Sequence, residues 1–126
     1  MFSHVTIGAN DLARLAPFYD AFLAPLGIGR VHSDEQLVGW GREGEPGQLF
    51  VGTPFNGEAA TAGNGWMCAF RAPSREAVTQ AHAAALAHGG SDEGAPGLRP
   101  HYAPDYFGAY VRDPEGNKLH VVHRGG

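Results

Sequence analysis

Residues 3–28 read SHVTIGANDLARLAPFYDAFLAPLGI, and the pattern of this stretch returns further along the chain. His4-Val5-Thr6-Ile7 alternates, which predicts a short strand with Val5 and Ile7 on one face and His4 and Thr6 on the other. Asn10 and Asp11 suit a helix N-cap, because their side-chain oxygens accept the orphan N–H groups of a first turn. Leu15, Phe18, Tyr19, Phe22 and Leu23 then recur at helical spacing and form one apolar face. Gly27 stands where a helix stop is expected. Pro17 interrupts the pattern, so the regular helix is expected to begin near it, after a loose or kinked first turn.

Adding 63 to each number lands on a second copy. Residues 66–70 alternate as a strand, Ser74 replaces Asp11 as the cap, and the stripe falls on Val78, Ala81, His82, Ala85 and Leu86. Gly90 takes the place of Gly27. One strand, one cap, one stripe and one stop in register make an internal repeat the economical reading.

Between the copies, residues 28–32, 36–41 and 48–51 read as three further strands, giving a first unit β-α-β-β-β over residues 1–56. Residues 57–65, GEAATAGNG, are small and aperiodic and read as a linker. In the second unit, residues 66–124, the middle (91–105) is longer and richer in Pro and Gly. Residues 107–112 and 118–123 are strands joined by the turn DPEGN at 113–117. The echo is read here at an offset of 70, pairing Arg42 with Arg112 and Leu49-Phe50 with Leu119-His120. The expected core is Val5, Ile7, Phe18, Phe22, Leu49, Val51, Phe70, Val78, Leu86, Leu119 and Val121, facing the helices.

A chain of 126 residues reads as a single domain able to bury a real core. Its net charge of −4, without a basic block, argues against a nucleic-acid partner. No run approaches transmembrane length and no leader pattern opens the chain. The one cysteine, Cys68, excludes an internal disulfide and fits a cytoplasmic setting. By alternation it faces the helix side as a small hydrophobe, with a reactive thiol as the competing reading. No nucleophile elbow, phosphate loop or dinucleotide fingerprint is present.

The segments HVTIGANDL…FYD…LG and FGAYVRDPEGNKL, set in two such units, resemble the vicinal oxygen chelate superfamily of glyoxalases, bleomycin-resistance proteins and extradiol dioxygenases. The resemblance implies an α+β fold: two β-α-β-β-β repeats forming an open, cup-shaped mixed sheet with the helices outside. It also implies a homodimer, and a cleft that holds a metal or an apolar ligand.

In that family one metal ligand comes from the first strand and one from the last strand of each unit. Those places fall here on His4, Phe50, Met67 and His120. His4 matches the family pattern, His120 stands where glutamate is more usual, and Phe50 and Met67 depart from it. A divalent ion such as Zn²⁺ or Fe²⁺ needs about three protein donors. A third would have to come from His101, in the loop RPHYAPDY at residues 99–106, or from a partner chain. That loop reads either as a lid over a ligand or as a surface loop packed by its own aromatics.

His82 is expected to be a satisfied half-buried residue, His88 a C-terminal helix cap, His123 opposed to His120, and His32 solvated in a turn. Two functions stand side by side. One is a metal-poor module that sequesters a small, partly aromatic molecule with His4, Trp40, Phe50, Met67, His101, Tyr106 and His120. The other is a glyoxalase-like, metal-dependent lyase or isomerase using His4 and His120 as ligands or acid–base groups.

Overall fold

A computed structural model of the chain describes residues 1–125. The first unit runs β1 (His4–Gly8), α1 (Leu12–Leu23), a 3-10 turn (Ala24–Leu26), β2 (Gly29–Ser33), β3 (Leu37–Gly41) and β4 (Gln48–Gly52). The second runs β5 (Cys68–Arg71), α2 (Arg75–Ala87), β6 (Ser91–Leu98), β7 (Phe107–Arg112) and β8 (Lys118–His123). The strands form two open four-stranded sheets, ordered β1-β4-β3-β2 and β5-β8-β7-β6. In each, the first strand runs parallel to the last and the other pairings are antiparallel. The expected α+β pair of β-α-β-β-β repeats is present, as two hydrogen-bonded sheets rather than one continuous one. Among the described residues no helix is long and apolar enough to cross a membrane.

One core joins the units. The aromatic stripe of α1 (Leu15, Phe18, Tyr19, Phe22, Leu23) is fully buried, and it packs on α2, whose inward face is Ala77, Val78, Ala81, His82 and Ala85. Small side chains on one helix leave room for rings on the other, and burying each large apolar side chain contributes about 1.5–3 kcal/mol. The buried inner faces of both sheets complete the cluster with Ile7, Val38, Leu49, Val51, Ala109, Val111, Leu119 and Val121.

Helix α1 does not wait for Pro17, which lies inside it. The single bond that Pro17 forfeits is outweighed by what holds the first turn. Asp11 Oδ1 accepts the N–H of Arg14 at 3.2 Å, and the Glu115 carboxylate accepts those of Asn10 and Asp11 at 2.8 and 2.7 Å. Thus the turn 113–117 of the second unit also caps the helix of the first. Beside it, the buried Asp113 carboxylate accepts the Tyr19 hydroxyl at 2.6 Å and the Asn117 amide at 2.8 Å. Burial, then the neighbouring Asp113 charge, raises the Tyr19 hydroxyl well above its ordinary pKa, so it stays a donor.

Several expectations need correction. Leu86 is 42% exposed: the inward face of α2 is narrower than that of α1 and ends at the fully buried Ala85, whereas Leu23 at the matching place in α1 is buried. Strand β5 begins at Cys68, leaving Met67 just before it. The glycine with positive φ after α2 is Gly89, not Gly90. Gly90 is needed for a different reason, since a Cβ there would lie 2.8 Å from the Phe18 ring. The Pro- and Gly-rich middle of the second unit contains a full strand, β6, and only residues 99–106 are loop. His32 lies in β2, where its ring meets Asp34 at 2.7 Å.

The repeat itself slips by one. Trp40 pairs with Leu49, and Val111 pairs with Leu119, so β7 echoes β3 at an offset of 71 while β8 echoes β4 at 70. Arg42 and Arg112 are therefore not equivalent, and Tyr110 answers to Gly39. A one-residue slip exchanges the faces of a strand, which decides where Trp40 and Tyr110 point.

Candidate functional site

Strand alternation divides each sheet into a core face and an outer face. The register puts Thr6, Phe50 and Gly39 in one outer row, and Ala69, His120 and Tyr110 in the matching row of the second sheet. His4 and His120 both belong to outer faces, as the sequence pattern requires. Yet His120 is 1% exposed, because aromatic side chains cover it. Tyr110 stacks on its ring at 4.0 Å and 11°, and Tyr106 lies near-parallel at 5.7 Å and 13°. Gly108 gives the ring its space, since a Cβ there would come within 2.7 Å of His120 Cε1.

Both ring nitrogens of His120 are engaged. Nδ1 lies 2.8 Å from the Ala109 carbonyl, which can only accept, so Nδ1 carries the proton. Nε2 lies 2.6 Å from Tyr106 Oη and accepts from that hydroxyl. Burial pushes the imidazole pKa below its ordinary value, and the charges of Arg99, Lys118 and Arg124 push the same way against the Ala109 hydrogen bond. The result is a neutral imidazole in one tautomer, with its lone pair occupied.

Residues 99–106 form the cover. The arm is closed by the Arg99 N–H donating to the Tyr106 carbonyl at 2.7 Å, with the Tyr102 N–H donating to the Arg99 carbonyl at 2.9 Å inside it. His101, Tyr102 and Tyr106 contact one another in sequence, at 4.2 and 5.0 Å between ring centroids. Beside this arm is a hollow of about 400 Å³ lined by Met67, Glu93, Arg99, His101, Tyr102, Tyr110 and Lys118. Its size falls in the range of small-molecule sites. Burial, followed by the Tyr102 hydroxyl, pushes the Tyr110 pKa up to about 12, so this wall carries no phenolate near neutrality.

The first sheet differs. His4 is exposed, with Nδ1 2.9 Å from Ser3 Oγ and its ring edge-on to Phe50 at 5.4 Å. The Phe50 ring lies across Gly39, where a Cβ would collide with it at 2.5 Å. A groove of about 230 Å³ opens between the outer edges of β1 and β5, and His4, Arg42, Gln48 and Arg71 are among its lining residues. Trp40 only backs this groove. It is fully buried on the helix side, against Tyr19, and its indole N–H donates to Asp20 at 3.0 Å. It is a core residue, placed on that face by the register with Leu49. Cys68 also backs the groove, and burial pushes its thiol up to about 11, which makes it a poor nucleophile.

The structure therefore brings His101, Tyr106 and His120 into one aromatic cluster beside Met67, and His4 and Phe50 into another. His4 lines the seam groove and Met67 and His101 line the hollow under the arm; neither space is lined by both His4 and His120. Among the described residues no group of three or more His, Cys, Asp or Glu side chains gathers as a metal site would require. The remaining histidines satisfy local needs: His82 meets Asp92 at 2.9 Å, His88 Nδ1 donates to Ala84 at 2.8 Å, and His123 Nδ1 donates to Ala72 at 2.9 Å. Sequence reasoning overlooked Tyr110 and Lys118, although Lys118 stands two places from His120 on one strand and so shares its face.

The chain belongs to the Glyoxalase/Bleomycin resistance protein/Dioxygenase superfamily, which its sequence matches over residues 1–121. A glyoxalase/bleomycin resistance protein from Albidiferax ferrireducens is similar at 42% identity and a TM-score of 0.88, with 99% of each chain covered. A glyoxalase-related enzyme from Fulvimarina pelagi (20% identity, TM-score 0.77, 98% of this chain and 88% of that one) shares the fold. So does a lactoylglutathione lyase from Agrobacterium tumefaciens (20% identity, TM-score 0.66, 98% and 92% covered). No curated protein matches the sequence.

Proposed function

We propose that this chain binds and sequesters a small, partly aromatic molecule beside the arm of residues 99–106, and does so without a metal ion. The observation that carries this reading is the Tyr106 hydroxyl on His120 Nε2. A ligating imidazole must present that lone pair to the ion, and here it is committed to an internal donor. Of the other three places where the family draws ligands, Phe50 has no donor atom and Met67 has only a soft thioether. His4, the remaining one, lies against Phe50 in the first sheet. The donor set does not fit a catalytic Zn²⁺ or Fe²⁺ site, which draws about three N, O or S ligands from the protein.

The hollow instead offers rings and a thioether for apolar contact, with polar groups at its rim, as binding sites for small molecules generally do. We place the protein in the cytoplasm, where a single unpaired cysteine is at ease. We also propose a homodimer, in which a second copy would cover exposed apolar side chains such as Phe2 (72% exposed), next to the edge strand β1. Light scattering tests this last point, and a mass near 13.3 kDa would overturn it.

The metal claim is tested on protein purified without an affinity tag. Elemental analysis should find less than about half an equivalent of any first-row metal, since two separated imidazoles hold an ion loosely. Melting should be the same with and without a chelator. A stoichiometric metal with a chelator-induced fall in melting temperature would overturn the reading in favour of a metal-dependent lyase.

A further inference from the structure

Net charge −4 predicts a surface that repels anions, but the outer face of the second sheet is different. Three cations sit on its aromatic cluster. Arg99 Cζ and Lys118 Nζ lie 5.7 and 5.2 Å from the Tyr110 ring centroid, and Arg124 Cζ lies 4.9 Å from that of Tyr106. Among the described residues Arg30, Arg42 and Arg112 each have a carboxylate. Arg99, Lys118 and Arg124 form no ion pair, nor do Arg14, Arg71 and Arg75, but only Arg99, Lys118 and Arg124 gather on one aromatic cluster. Arg99 donates to the Gly97 and Ala95 carbonyls at 3.0 and 2.8 Å, which fixes its guanidinium without neutralising it. Glu93 is the carboxylate lining the hollow, and it is already held by Arg112 Nε at 2.6 Å. The hollow thus has two uncompensated cations, an imidazole (His101) and two tyrosine rings on its walls.

From this geometry we infer that the hollow takes a small organic acid with a flat aromatic or conjugated body, the carboxylate lying between Arg99 and Lys118 and the body against Tyr110, Tyr102 and Met67. The inference rests on the binding reading above and adds the ligand's charge. An unpaired guanidinium and ammonium gain a charge-assisted partner in a carboxylate, while a cation would be repelled. The rings supply stacking for a planar body, and the Met67 thioether adapts to its edge. Fixing Arg99 by its own backbone carbonyls means little side-chain freedom is lost on binding.

Benzoate, 1-naphthoate and phenylpyruvate, each against its neutral amide, are the probes, titrated by calorimetry and by the ring signals of Tyr102, Tyr106 and Tyr110. The acids should bind at least about tenfold more tightly than their amides at low salt, and the gap should narrow in high salt. Lys118→Gln should reduce that ratio severalfold. Because Arg99 also braces β6, Arg99→Gln is read only alongside Lys118→Gln, which breaks no internal hydrogen bond among the described residues. Amides binding as well as acids would overturn the charge assignment and leave the binding reading standing. Equal displacement by inorganic phosphate would overturn the aromatic part. No response to any probe, acid or amide, would overturn both.

Discussion

Replacing Tyr106 by Phe removes one hydroxyl and tests the arrangement around His120. The ring is kept, so its stacking and its 8% exposure are preserved. What is lost is the 2.6 Å donor to His120 Nε2. That nitrogen belongs to a side chain that is 1% exposed, and an orphaned buried acceptor costs about 1–3 kcal/mol. At this chain length each kcal/mol moves the thermal midpoint by roughly 3–5 °C. Urea denaturation should therefore show a lower midpoint with an unchanged slope, since the buried area is the same. A second readout follows from the same atom. The hydroxyl donates only to the neutral imidazole, so removing it should raise the His120 pKa back towards its ordinary value, which an NMR titration measures. Unchanged stability together with an unchanged His120 titration would refute the placement of Tyr106 on His120.

Glu115→Ala should cost about 1–2 kcal/mol, because two N–H groups at the start of α1 lose their acceptor; denaturant melts of this variant check it. The depressed pKa of His120 gives a pH dependence of definite sign. The unfolded chain takes up the proton first, near the ordinary value of 6.5, so stability is full above that pH and falls as pH drops through it towards the folded pKa. His120→Gln should flatten that part of the stability profile. Cys68, with its thiol pushed up to about 11, should react with a thiol reagent near pH 8 far more slowly in the folded protein than in denaturant.

The fold was legible because its signals are periodic. Both N-caps, the α1 stripe and most of the α2 stripe follow from Asp11, Ser74 and the offset of 63, whereas element ends such as Pro17, Met67, Leu86 and Gly90 mislead. The site was less legible because the chemistry there depends on register. Trp40 reads as a cleft residue until it is seen opposite Leu49, and Tyr110 acquires its role only through the slip that places it opposite His120. A cap supplied from residue 115 to residues 10 and 11 leaves no local mark, since the two are distant in sequence. His120 could be picked out by position, but its tautomer is set by Ala109 and Tyr106, through hydrogen bonds no spacing rule contains.

The most direct test of a metal-free binding role is nitrogen NMR of the His120 ring, with one equivalent of Zn²⁺ added afterwards. A neutral ring with a protonated Nδ1 and a hydrogen-bonded, unprotonated Nε2, both unmoved by zinc, is the result this arrangement predicts. A zinc-induced shift of Nε2 would contradict it, by showing that the lone pair held by Tyr106 is available to a metal.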